Sequence, residues 1–160
     1  MSKVRAVSVA VLAGVAVLAV AVLTGAGGSA VSLPYRDADR VAEGRAIYAA
    51  HCAACHGADL QGEADWRNRN ADGLMPAPPH DETGHTWHHA DAVLFDLTKR
   101  GTAAVVGGGY QSNMPGFAGV LSDAEILSVL GYIKSTWPQQ VIETHNRINR
   151  DAKAARGMEG

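Results

Sequence analysis

The clearest regular pattern of apolar and polar residues lies between positions 121 and 138. Its apolar residues recur at spacings of three and four, which places them on one face of a helix. These residues are Ile126, Val129, Leu130, Ile133 and Trp137. Ser122 and Glu125 have the spacing of a capping box at the start of this helix, and Pro138 is expected to end it. The pattern predicts an amphipathic helix near the end of the chain.

A weaker helical pattern lies near residue 40. Asp37 or Asp39 can cap this helix, and one of its faces carries Val41, Gly44 and Tyr48. Glycine inside a helix costs about 1 kcal/mol relative to alanine. A position without a side chain would, however, allow a second helix to cross this one closely.

The middle of the chain alternates loops with one short helix. Residues 57–90 are rich in glycine and proline, and a loop of this length in a small domain usually has a functional reason. Residues 91–100 predict a short helix that stops at Gly101. A second loop, with three glycines at 107–109, leads to the final amphipathic helix, and residues 139–160 form a polar extension. Helices and loops without a strand pattern predict an all-α fold.

Residues 1–30 have the composition of a signal peptide or an N-terminal membrane anchor. Lys3 and Arg5 precede an almost wholly apolar run at 6–23, which is followed by small residues up to Ala30. The run is longer than a usual signal-peptide core and reaches the lower range for a membrane span. We expect cleavage after Ala30 or an uncleaved anchor. Both outcomes place Val31 and the following residues outside the cytoplasm, in a bacterial periplasm.

Length and charge restrict the remaining possibilities. The chain has 160 residues, 47% hydrophobic and 19% charged, which suits one small domain with appendages. Its net charge is −2, and loss of residues 1–30 would remove two basic residues and no acidic one, which gives −4. The chain has no basic cluster of the kind that binds nucleic acid, so we expect no nucleic-acid partner.

Both cysteines of the chain lie in one five-residue motif, Cys52-Ala53-Ala54-Cys55-His56. C-x-x-C-H is the attachment motif of haem c. The two thiols form thioethers with the porphyrin, and the next imidazole can ligate the iron. A structural zinc site would need further cysteines or a spaced histidine pair, and a thioredoxin-like pair would need a βαβ pattern. The motif therefore predicts one covalently bound haem c.

Four histidines, at positions 80, 85, 88 and 89, surround Trp87. Closely spaced imidazoles suit copper or zinc, so a second metal site is one interpretation. The other is a polar loop near the haem propionates, with the N–H of Trp87 or the O–H of Tyr110 as propionate donors. Ligation of the haem iron by one of these histidines is a third possibility.

Four segments in this order resemble the class I mono-haem cytochrome c family. They are Gly44 to Tyr48, Cys52 to Gly57, Met114 to Phe117, and Leu121 to Trp137. The resemblance covers residues 37–138 and implies a cytochrome c fold, with three to four helices and long loops around one haem. It also implies that the first and last helices cross, with Gly44 and Tyr48 against Val129 and Tyr132.

The same resemblance implies the ligands of the iron. Met114 would be the second axial ligand, opposite His56, and Met75 is the rival thioether. A neutral thioether favours ferrous iron and raises the potential relative to a second imidazole. A proline-associated carbonyl, of Pro78 or Pro79, would accept the other ring N–H of His56 and orient the ring.

Iron with both axial positions filled has no open site for a substrate, so we expect a one-electron carrier and no enzyme activity of its own. Its partners would be redox proteins of a periplasmic respiratory chain, such as a reductase or a terminal oxidase. Two alternatives stay open. A haem-dependent redox enzyme would need a labile sixth position, and a copper-handling module would use the cluster between His80 and His89.

Overall fold

The computed structural model describes residues 31–158, which contain α-helices, loops and no strand. The six α-helices are α1 Ala38–His51, α2 Ala53–His56, α3 Asp91–Arg100, α4 Thr102–Val106, α5 Asp123–Ser135 and α6 Gln139–Met158, and a 3-10 turn covers Thr86–His88. The all-α prediction is confirmed. The expected three to four helices correspond to the long ones, because α2 and α4 are single turns.

The predicted signal peptide or anchor at residues 1–30 lies outside the described residues. Among residues 31–158, no helix is both long enough and apolar enough to cross a membrane.

The capping residues explain where the main helices begin. Asp37, and not Asp39, caps α1, because its Oδ1 accepts hydrogen bonds from the backbone N–H of residues 39 and 40, both at 3.1 Å. The predicted capping box of α5 is confirmed, since the Ser122 and Glu125 side chains each bond the other's backbone N–H. Helix α5 ends at Ser135, so Trp137 lies in the turn before α6.

The predicted crossing of α1 and α5 is confirmed and centres on Gly44. A Cβ at this position would overlap the carbonyl oxygen of Ser128 and lie 2.9 Å from the Cβ of Tyr132. One turn further along α1, the Tyr48 ring packs on the Tyr132 ring with their centroids 5.5 Å apart. Only glycine allows the two backbones this approach, and the crossing fixes the end of α1, where the Cys52–His56 turn begins.

The Gly44→Ala variant tests this crossing. The added methyl group has no space against the Ser128 backbone, so the helices must separate. We expect the free energy of unfolding to fall by about 1–3 kcal/mol or more, measured by chemical denaturation of the holoprotein. Ala42→Gly lies on the exposed side of α1 and should cost only about 1 kcal/mol. An equal loss in the two variants would contradict the close crossing.

Residues 139–158 of the polar extension form a docked helix, α6. The sequence had left a loosely docked helix or partial disorder open. Ile142 is buried and the side chain of His145 has no exposed surface. The His145 Nε2–H donates to the carbonyl of His89 at 2.9 Å, and the ring meets Trp137 edge to face. Part of the contact between α6 and the rest of the domain is thus made by a buried polar side chain, so the helix docks although it has few apolar residues.

A buried polar cluster joins α3, α5 and α6 to the start of the described chain. Asp91 Oδ2 accepts from the backbone N–H of Leu33 at 3.2 Å, and its Oδ1 accepts from the Asn149 side chain at 2.9 Å. Lys134 Nζ lies 4.0 Å and His145 Nε2 lies 3.4 Å from the same Oδ1. Burial lowers the pKa of His145, the Lys134 ammonium lowers it further, and Asp91 opposes both effects.

This lowered pKa predicts a pH-dependent stability. The unfolded chain binds a proton more readily than folded His145, so the contribution of His145 is complete above the ordinary pKa of about 6.5 and is lost as the pH falls below it. In denaturation at a series of pH values, His145→Gln should reduce the acid dependence of the free energy of unfolding. His51→Gln, at an exposed position on α1, should behave as the parent. An unchanged slope in His145→Gln would contradict the assignment.

Candidate haem site

The two cysteines lie on one helical turn at the end of α1. Cys52 separates α1 from α2, and its carbonyl accepts from the N–H of Cys55 at 3.2 Å and of His56 at 2.9 Å. No disulfide joins the two cysteines; Cys52 is half-buried and Cys55 is exposed. Burial, with a smaller contribution from Cys55, raises the pKa of Cys52 to about 11. The turn thus offers two thiols beside one imidazole.

The imidazole of His56 is buried and oriented by the loop opposite. Its Nδ1 lies 2.8 Å from the carbonyl oxygen of Pro78, and a carbonyl can only accept, so Nδ1 carries the proton. The lone pair is then on Nε2, the nitrogen available to a metal. Burial lowers the pKa of His56, which favours this neutral form. The expectation named Pro78 or Pro79, and the carbonyl that reaches the ring is that of Pro78.

Backbone hydrogen bonds hold the loop that carries Pro78. The N–H of Glu63 donates to the Ala77 carbonyl at 2.9 Å, and the N–H of His80 donates to the Leu60 carbonyl at 2.8 Å. The indole N–H of Trp137 donates to the His80 carbonyl at 2.7 Å and connects the loop to the turn after α5. Residues 57–90, which have little regular secondary structure, are therefore fixed around His56.

The four clustered histidines pack against different partners, although the rings of His85 and His89 approach each other with centroids 5.5 Å apart. His80 stacks on His56, and His85 stacks on Trp66 with centroids 5.4 Å apart. His88 stacks on Trp87 at 3.7 Å. Within residues 31–158, no group of three or more His, Cys, Asp or Glu side chains is arranged to hold a metal ion. The copper-handling alternative is therefore not favoured.

The two residues expected near the propionates already have other contacts. The indole N–H of Trp87 donates to the carbonyl of Glu82 at 3.2 Å, so this donor is engaged within its own loop. Tyr110 is half-buried in the loop after α4, with the Arg69 guanidinium 6.0 Å from its ring centroid.

The segment with Met114 is attached to the end of α3. The N–H of Phe117 donates to the Thr98 carbonyl and that of Ala118 to the Lys99 carbonyl, both at 3.0 Å. A Cβ on Gly116 would lie 2.6 Å from the carbonyl carbon of Arg100, so the two backbones touch. Met114 itself is half-buried. The sequence does not show this attachment, because nothing in its pattern pairs residues 98–100 with 116–118.

These side chains fit a covalently attached haem. The thiols of Cys52 and Cys55 lie on one turn, Nε2 of His56 bears a lone pair, and a methionine thioether lies on a separate, backbone-anchored loop. Imidazole and thioether are the axial donors of many c-type haems. The all-α fold and this set of donors define the class of a c-type haem protein.

Comparison with known proteins gives the family. The Cytochrome c family model matches residues 41–137, and the chain belongs to that family. A Cytochrome c domain supports an electron-transfer function and implies covalently bound haem c.

Two curated relatives are subunits of terminal oxidases. The Cbb3-type cytochrome c oxidase subunit FixP of Azorhizobium caulinodans is 31% identical over 94 residues, which cover 59% of this chain and 28% of the relative. Subunit CcoP of the same oxidase type from Azospirillum sp. is 33% identical over 97 residues, which cover 61% of this chain and 29% of the relative. The aligned residues span less than a third of either relative. No solved structure matches the chain significantly.

The Gly116→Ala variant tests the attachment of the Met114 segment to α3. The methyl group would collide with the Arg100 backbone and push the segment away. We expect the free energy of unfolding to fall by about 1–3 kcal/mol and the amide protons of Phe117 and Ala118 to exchange faster. Gly119→Ala is the control in the same loop, because its Cβ would meet no atom within 4 Å. Parent-like exchange in Gly116→Ala would contradict the contact.

Proposed function

We propose that this protein is a one-electron carrier whose single haem is bound through thioethers to Cys52 and Cys55 and ligated by His56 and Met114. The haem supplies the ferric–ferrous couple. The chain holds two ligands that stay the same in both states and keeps water from the iron. The observation that carries the proposal is the 2.8 Å contact between Nδ1 of His56 and the Pro78 carbonyl, because it leaves Nε2 for a metal.

The surroundings of His56 support its role as the nitrogen ligand. His56 is 7% exposed. A metal-bound histidine usually donates its other ring N–H to a carbonyl, because this hydrogen bond fixes the plane of the ring and raises the basicity of the ligating nitrogen. The Tyr48 hydroxyl donates to the Gly57 carbonyl at 3.0 Å and steadies the backbone directly after the ligand. A ligand held this firmly moves little when the iron changes its charge.

Two arguments favour Met114 over Met75 as the sulfur ligand. Met75 lies three residues before Pro78, in the loop whose Pro78 carbonyl contacts Nδ1 of His56, whereas Nε2 is the nitrogen that would bind the metal. Met114 lies on a different loop, which α3 anchors through backbone hydrogen bonds. A separate and firmly held loop suits a ligand that must approach the iron from the opposite face.

The relatives and the composition of residues 1–30 support a proposal for the partner and the location. Because the two curated relatives are subunits of cbb3-type oxidases, we propose that the protein delivers electrons to a terminal oxidase of this type, as a carrier or as a subunit. We place it on the periplasmic side, with residues 6–23 as a signal or a membrane tether. The reduced holoprotein should be oxidised by membranes that contain such an oxidase and not by membranes without it.

A pair of methionine variants tests the ligand set and the carrier function together. Ferric parent protein should show the near-infrared charge-transfer band of a methionine–iron bond, and ferrous parent protein should not bind carbon monoxide. Met114→Ala should lose the band and bind carbon monoxide at the vacated position, whereas Met75→Ala should behave as the parent. Carbon monoxide binding by the parent would favour a haem enzyme, and a band that survives in Met114→Ala would exclude this ligand.

A further inference from the structure

The imidazole of His80 lies flat against the proposed iron ligand His56. The two ring centroids are 3.8 Å apart and the ring planes are inclined by 20°. The His80 backbone is fixed on both sides, by the Leu60 carbonyl at 2.8 Å and the Trp137 indole at 2.7 Å. The edge of this ring also faces Tyr48, with centroids 5.9 Å apart. The stacking is therefore a fixed contact between two well-held rings.

His80 places a polar side chain at a position where an apolar side chain could be buried at a lower cost in free energy. Its Nδ1 is buried and has no hydrogen-bond partner within the described part of the chain. A buried polar atom in this state destabilises the folded protein, and a leucine at the same position would avoid this cost. Such a cost points to a use for the imidazole beyond filling space.

We propose that His80 is a positioning residue that fixes the plane of the His56 imidazole and lowers the reduction potential of the haem. The inference rests on the proposed function, in which His56 ligates the iron. The ferric site carries one more positive charge than the ferrous site, and the ligand imidazole shares that charge. A polar, polarisable ring in contact with the ligand stabilises this charge better than an alkyl group does, and apolar surroundings favour the ferrous state.

Three substitutions in the holoprotein distinguish the effect of the polarity of residue 80 on the potential from the effect of its shape. His80→Leu fills the space with an alkyl group, and its midpoint potential in a spectroelectrochemical titration should rise. His80→Gln restores a planar polar group and should return the potential most of the way to the parent value. His85→Leu is the matched control: His85 lies in the same loop, is exposed and stacks on Trp66 instead of His56, so the potential of this variant should equal that of the parent.

Proton NMR of the ferric forms reports on the ligand plane. The pattern of the shifted haem methyl resonances follows the orientation of the axial imidazole. His80→Leu should change this pattern, and His85→Leu should leave it unchanged. Should His80→Leu fail to accumulate with haem, His80→Phe tests the polarity alone, because it keeps a stacked aromatic ring; its potential should rise as well.

The results distinguish this inference from the proposed function. If the parent lacks the low-spin spectrum of histidine–methionine ligation, the proposed ligands are wrong. If that spectrum is present and the potential of His80→Leu is equal to or lower than the parent value, the inference is overturned. The inference would also be overturned if the potential rose as much in His80→Gln as in His80→Leu, since the polarity of residue 80 would then not explain the effect.

Discussion

The hydrogen bond from Nδ1 of His56 to the Pro78 carbonyl is the interaction on which the site depends. It joins a four-residue helix to a long loop that has few helical turns of its own. It also decides the chemistry of the imidazole, because a carbonyl can only accept and the lone pair must then lie on Nε2. The burial of His56 and the backbone bonds of residues 57–90 keep donor and acceptor together.

Two close backbone contacts position the two proposed iron ligands, one contact for each ligand. At Gly44, α1 touches the Ser128 carbonyl of α5, and the Cys52–His56 turn begins where α1 ends. At Gly116, the segment that carries Met114 touches the Arg100 backbone at the end of α3. In each contact a side chain is absent where two backbones meet. The nitrogen and sulfur donors are thus held by rigid contacts outside the site itself, which suits an electron carrier whose ligands should not move.

Features that depend on neighbouring residues could be predicted from the sequence, whereas features that depend on contacts between distant segments were harder to predict. The capping box at Ser122 follows from residue type and spacing and is confirmed. The crossing at Gly44, which the resemblance to cytochromes c implied, is confirmed as well. Helix α4 was missed because a five-residue run between glycines has no cap and no period. The sequence did not predict that α6 packs against the domain, because a histidine in a polar segment is expected at the surface and His145 is buried. The stacking of His80 on His56 depends on how the loop folds back, and residue spacing does not encode it.

These features suit the one-electron carrier proposed above. The two thiols and the imidazole are useful together only when a porphyrin joins them, so the covalent haem is the central claim. Its most direct test is the intact mass of the denatured protein, expressed in a host that matures cytochromes c. The account predicts the mass of the chain plus one haem, with the colour retained in the protein after acid–acetone extraction. A mass without haem and a colourless protein would contradict it.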